Sequence, residues 1–211
     1  MKIALINGSP KQKNSASECI LKALQTFIPE EHAITQFDFR NPQLSTREME
    51  LLAGHTAWVF AFPLYVDGIP SHLVGCLQQL EQYIKDKSGN GIMVYGLVNC
   101  GFYEGRHNMP AIQILRNWCK KSGLQWGQGT GIGAGGMLSM LNKVPLGHGP
   151  LKNVGKTIGL TSRHILNGTA GEDVFVTANF PRFAYKLAGE AGWRKQIKAN
   201  GLRPKDLFIM K

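Results

Sequence analysis

Trp58-Val59-Phe60-Ala61-Phe62 is apolar at five consecutive positions. A strand with one solvated face alternates polar and apolar residues, so an unbroken run belongs to a strand covered on both faces. Further β-prone runs occur at Ile3–Ile6, Ile34–Phe39, Ile92–Val98 and roughly Leu124–Gly129. Helical periods separate them. Ala16, Ile20, Leu24 and Phe27 recur at three- and four-residue spacing, as do Leu73, Leu77, Leu80 and Ile84, and then Ile112, Leu115 and Cys119. Asn14 or Ser15 can cap the first helix, Ser45 and Glu48 have capping-box spacing before a second, and Pro70-Ser71 and Pro110 open the next two. Five strands alternating with four helices predict an α/β fold: a doubly wound parallel sheet with helices on both faces. Right-handed crossovers then bring every strand-to-helix loop to one edge of the sheet, where ligands bind.

The final third reads differently. Gly129-Thr130-Gly131-Ile132-Gly133-Ala134-Gly135-Gly136 follows the fifth strand and contains GxGxxG from Gly131 to Gly136. A dinucleotide fingerprint follows the first strand of its unit, so this stretch reads instead as a flexible strand-to-helix connection. Helices are expected at about 151–167 and 180–200, with no clear strand between them, and part of 136–166 supplies the fifth helix that covers the sheet. The expected division is a core over residues 1–140 and a helical C-terminal extension over 141–211. That extension packs on the core or on a partner subunit.

Charge separates the same two regions. The chain carries a formal net charge of +10. Residues 1–138 hold 12 Lys and Arg against 10 Asp and Glu, whereas residues 139–211 hold 12 against 4. Such a basic segment suits an anionic partner or simple solvation, but its cations are dispersed and match no nucleic-acid motif, which argues against a nucleic-acid partner. No stretch has the length of apolar sequence that a membrane span needs. The opening MKIALINGSP reads as a first strand rather than a signal peptide, so a cytoplasmic location is expected. The four cysteines, Cys19, Cys76, Cys100 and Cys119, form no CxxC pair or cluster, which fits buried thiols better than metal ligands or disulfides. Cys100 stands apart because it falls in a loop at the binding edge.

The loop after the first strand, Asn7 to Ser17, is rich in groups that hydrogen-bond a phosphate dianion. It offers the hydroxyls of Ser9, Ser15 and Ser17, the Asn14 amide, the Lys11 ammonium and the N–H groups of a helix N-terminus. It lacks the GxxxxGK[ST] of nucleotide triphosphatases. Asn7-Gly8-Ser9-Pro10-Lys11 followed by Asn14-Ser15 resembles the opening motif of the NAD(P)H-dependent FMN reductase and multimeric flavodoxin families. The resemblance covers roughly residues 1–135 and implies a flavodoxin-like fold that binds FMN. It assigns the phosphate to Ser9, Lys11, Asn14, Ser15 and the backbone of Ala16.

Two further loops follow from the resemblance. Pro63-Leu64-Tyr65-Val66-Asp67, after the third strand, corresponds to a segment that lies against the isoalloxazine ring. Its peptide groups suit the polar edge of the flavin, and Tyr65 offers a flat apolar face. Asp67 reads equally as a plain turn aspartate. Asn99-Cys100-Gly101-Phe102, after the fourth strand, corresponds to the loop at the pyrimidine end, where Asn99 and N–H groups near Gly101 suit the carbonyls and ring nitrogens. Phe102 and Tyr103 read as ring contacts or as ordinary packing. Glu104 and Arg106 read as ligands for substrate or nicotinamide phosphate, or as solvated charges.

The implied function is an FMN-dependent oxidoreductase that passes a hydride from NAD(P)H to a quinone, nitro, azo or similar small-molecule acceptor. No protein acid or base is nominated. One alternative is an electron-transfer flavodoxin without an NAD(P)H site, against which the sequence pI of about 9.6 argues, since such carriers are strongly acidic. Another is a basic binding or regulatory module. The compact cysteine cluster of the iron–sulfur branch is missing. Family members commonly dimerise, and Phe180, Phe183, Tyr185, Leu187 and Trp193 supply apolar surface for a homodimer contact or for folding back on the sheet.

Overall fold

The computed structural model describes residues 1–85, 91–138 and 144–208. Chain order runs β1 (Lys2–Asn7), α1 (Ala16–Gln25), β2 (Ala33–Asp38), α2 (Thr46–Ala53), β3 (Ala57–Pro63), α3 (Ser71–Lys85) and β4 (Met93–Asn99). It continues through α4 (Met109–Lys121), β5 (Gln125–Ile132), the short α5 (Gly135–Leu138), α6 (Lys152–Asn167), β6 (Val174–Val176) and α7 (Arg182–Ala199). The strands form one parallel sheet in the order β2-β1-β3-β4-β5-β6.

The continuous apolar run of β3 serves two layers. Trp58, Phe60 and Phe62 face Leu73, Leu77, Leu80 and Ile84 of α3 and Ile112, Leu115 and Cys119 of α4. Ala57, Val59 and Ala61 face Ile20 and Leu24 of α1 and Val154, Ile158 and Ile165 of α6. Both layers are buried, and full burial of each large side chain contributes about 2 kcal/mol. The buried indoles are satisfied: Trp58 Nε1 donates to the Leu52 carbonyl at 2.9 Å and Trp118 Nε1 to the Leu77 carbonyl at 2.8 Å. Ser45 and Glu48 form the complete capping box of α2, and Ser15 rather than Asn14 caps α1.

Two expectations are corrected. The sheet has six strands, because Val174–Val176 pairs with Thr130–Ile132 between the two C-terminal helices. The glycine run is not a flexible connection throughout, since Gly129 to Ile132 complete β5. Those glycines are required by close approach: a Cβ at Gly131 would lie 2.7 Å from the Gly105 carbonyl and 2.6 Å from the Phe175 ring. A 3₁₀ turn over Gly105–Asn108 and the new edge strand occupy that space. The fifth covering helix is α6, as expected from residues 136–166.

Met1–Asn179 forms one compact unit that contains the whole sheet. A second unit starts at Phe180 and contains α7, on which Phe183, Leu187 and Trp193 are solvent-exposed. Among the described residues no helix is long and apolar enough to cross a membrane, and no group of His, Cys, Asp or Glu is placed to hold a metal ion.

Candidate functional site

Three loops leave the carboxyl ends of β1, β3 and β4, which are neighbours in the sheet. Between them lies a cavity of about 240 Å³. Ser9, Lys11, Asn14, Ser15, Ala16 and Ser17 line it from the first loop, Pro63, Leu64 and Tyr65 from the second, and Asn99, Cys100 and Gly101 from the third. Val66, Asp67 and Phe102 lie outside this lining. Gly135 and Gly136 of α5 line it as well; they belong to the glycine run after β5, which the sequence reading places beside the pocket without naming them among the site residues.

The first loop is arranged to donate. Ser9 Oγ accepts the Lys11 N–H at 3.3 Å, Ser15 Oγ accepts the Glu18 N–H at 3.0 Å, and Ser17 Oγ accepts from Asn99 Nδ2 at 2.9 Å. A hydroxyl whose oxygen accepts internally keeps its own hydrogen for another partner. The Ala16 and Ser17 N–H groups in the first turn of α1 meet no acceptor among the described residues, as expected where a helix begins. Lys11 Nζ reaches the Asn14 carbonyl at 3.2 Å, which keeps the ammonium beside the loop. No carboxylate lines the cavity among the described residues. The nearest acid in sequence, Glu18, is engaged by the Asn14 N–H at 2.9 Å and by Lys22 Nζ at 2.6 Å.

The second loop is a tight hairpin. Tyr65 and Gly68 exchange both backbone hydrogen bonds, at 3.0 and 3.1 Å, around Val66 (φ 48°) and Asp67 (φ 54°). Two successive residues at positive φ define a type I′ turn, which favours Asn and Gly. Val66 is β-branched and fully exposed, so the turn is strained at its tip. This geometry turns Val66 and Asp67 away and leaves Tyr65, 49% exposed, at the rim of the cavity.

Asn99 joins the second and third loops to the first. Its carbonyl accepts the Leu64 N–H at 2.7 Å, and Nδ2 donates to Ser17 Oγ and, at 3.0 Å, to the Phe62 carbonyl. With both amide hydrogens used internally, Asn99 braces the wall. Cys100 is buried; burial raises its thiol pKa, partly offset by its hydrogen bonding with the Phe102 backbone and the Asn108 side chain. Its backbone is pinned by N–H donation to Ile132 O at 3.0 Å and by acceptance from Gly135 N at 2.7 Å. Phe102 is exposed and packs against His107 in a tilted pair with ring centroids 4.5 Å apart.

The lining fits a phosphorylated planar ligand. Hydroxyls, helix-start N–H groups and one ammonium come from the first loop and α1, and peptide groups and Tyr65 from the other two loops. A Cβ at Gly101 or Gly136 would meet no atom of the described residues within 4 Å, and both glycines line the cavity.

No family model matches the sequence, and no curated protein matches it. Solved structures do match the fold. An NADH:FMN oxidoreductase (EMOB) in its apo form superposes with a TM-score of 0.60 at 15% identity, covering 87% of this chain and 97% of that one. An FMN-dependent NADH-azoreductase from Bacillus anthracis str. Ames Ancestor, solved in complex with FMN, gives 0.52 at 13%, covering 78% and 99%. A WrbA-like flavodoxin from Agrobacterium tumefaciens gives 0.53 at 13%, covering 79% and 95%. At these identities the likeness establishes the fold, which is flavodoxin-like.

Proposed function

We propose that this flavodoxin-like chain is an FMN-dependent oxidoreductase that passes a hydride from NADH or NADPH to a quinone, nitro, azo or similar small acceptor. The carrying observation is that the β1, β3 and β4 loops converge on one cavity whose lining combines hydroxyls, an ammonium and the N–H groups of a helix start with Tyr65. The named activities of the structural neighbours support the same reading at the level of reaction class. FMN, when bound, supplies the hydride chemistry itself.

The chain's residues would then bind and orient. Ser9, Ser15, Ser17, Lys11 and Asn14, with the N–H groups of Ala16 and Ser17, would hold the phosphate. Peptide groups of Pro63 to Tyr65 and of Cys100-Gly101 would hold the ring, with Tyr65 as its apolar wall. Val66, Asp67 and Phe102 would bear on the acceptor side of the rim. A homodimer belongs to this reading: Phe183, Leu187 and Trp193 are exposed on α7 and would form its contact. So does a cytoplasmic location.

The test is an absorption spectrum of the FMN-loaded protein under anaerobic conditions during addition of NADPH, then NADH. Prompt bleaching supports the reductase. Stoichiometric binding without bleaching would favour an electron carrier.

A further inference from the structure

Ser9 and Ser15 owe their hydrogen-bond polarity to backbone N–H groups within their own loop. Ser17 differs. The donor to its Oγ is the side chain of Asn99, 82 residues away at the carboxyl end of β4. Ser17 is 1% exposed, lines the cavity, and sits where its N–H and hydroxyl belong to the first turn of α1. Its oxygen is occupied by Asn99 Nδ2, and no acceptor among the described residues takes its hydrogen.

Asn99 has no second way to meet Ser17. Its other amide hydrogen is committed to the Phe62 carbonyl at 3.0 Å, which fixes which end of the amide faces the serine. The amide is 4% exposed, and a Cβ on Gly135 would lie 3.0 Å from its Oδ1, so the group is held on both sides. An amide hydrogen presented to a hydroxyl oxygen forces that hydroxyl to act as a donor elsewhere. The remaining direction is the cavity.

We propose that Asn99 is a positioning residue that makes Ser17 an obligatory hydrogen-bond donor to the phosphate monoester of the bound flavin. The inference rests on the FMN reading above. It makes phosphate recognition depend on the last residue of β4 as well as on the loop after β1.

The test compares dissociation constants for FMN and for riboflavin, which lacks the phosphate, by flavin fluorescence. Loss of one donor to a dianion is worth about tenfold or more in affinity. Ser17→Ala is expected to weaken FMN about tenfold and to leave riboflavin within about twofold, with Ser17→Thr restoring FMN. Asn99→Ala is expected to give the same phosphate-specific loss, and the double variant no further loss, because both changes remove one interaction. Asn99→Asp, which retains the shape, is expected to lose at least as much, since its carboxylate accepts the Ser17 hydrogen.

Equal weakening of both flavins by Asn99→Ala and Asn99→Asp, or additive losses in the double variant, would reduce Asn99 to a structural brace and overturn the inference. Unchanged FMN affinity in Ser17→Ala would overturn it as well. Binding of neither flavin by the unaltered protein would overturn the cofactor reading itself, a separate and recognisable result.

Discussion

Asp173 reaches back 44 residues to accept the Gly129 N–H at 2.8 Å, and it pins the chain before β6 onto β5. The same Oδ1 accepts from Trp126 Nε1 at 3.2 Å, while Oδ2 pairs with Arg116, whose guanidinium lies 5.5 Å from the centroid of the Trp126 ring. The Gly129 position has no room for more: a Cβ there would lie 3.0 Å from Asp173 Oδ1 and 2.4 Å from Ile112. Asp173→Ala leaves a strand N–H and an indole N–H without their acceptor. The expected cost is about 2 kcal/mol, read as a lower urea midpoint with unchanged slope. Arg116→Ala costs less than about 1 kcal/mol, because its half of the pair is open to water.

The hairpin at Val66 stores strain that can be released. Asn tolerates the left-handed conformation of a type I′ turn, and Val66 makes no buried contact that the change would remove. Val66→Asn is expected to stabilise by about 1 kcal/mol and to raise the melting temperature by a few degrees.

Three carboxyls contribute to the acid sensitivity of the fold. Glu18 is held below the ordinary 4.5 chiefly by Lys22, Glu48 by the Ser45 hydroxyl and N–H, and Glu81 by Lys85 and Lys121. As pH falls, the unfolded chain takes up these protons first. Their contribution is therefore complete above about pH 4.5 and is lost as pH falls through the depressed folded-state values. Melting temperature is expected to decline steadily below about pH 4.5, and Glu48→Gln to lower it at neutral pH while flattening the acid limb.

Burial governs the thiols. Cys76 is raised to about 11 and Cys119 to about 12, in both cases chiefly by burial, and Cys100 is raised for the same reason. A thiolate is the reactive form, so these three are expected to resist iodoacetamide at pH 7.5 in the native state. Half-buried Cys19, also raised, is expected to react slowly and ahead of them. Peptide mapping after timed exposure reads the order.

Much of the sheet was legible because its signals are local and strong. The run Trp58 to Phe62 specifies a doubly covered strand whatever surrounds it, and the helix starts at Ser15, Ser45 and Ser71 coincide with caps or prolines in the sequence. β6 escaped notice because Val174-Phe175-Val176 is too short for any periodicity and is an edge strand defined only by its partner. The glycines at 129 and 131 misled for a related reason. Glycine ordinarily weakens a strand, and here tertiary crowding by Ile112, Asp173 and Phe175 overrides that preference. At the site, residue types revealed the phosphate donors. Which way Asn99 donates follows only from the meeting of β3, β4 and α1.

FMN titration into the purified protein, followed by quenching of flavin fluorescence, tests the central claim most directly. Saturation at one FMN per chain, with riboflavin binding more weakly by tenfold or more, is the result expected of a cavity whose donors gather around the start of α1. Flavin fluorescence that stays unquenched through a several-fold excess of protein would contradict the cofactor assignment and the reductase built on it.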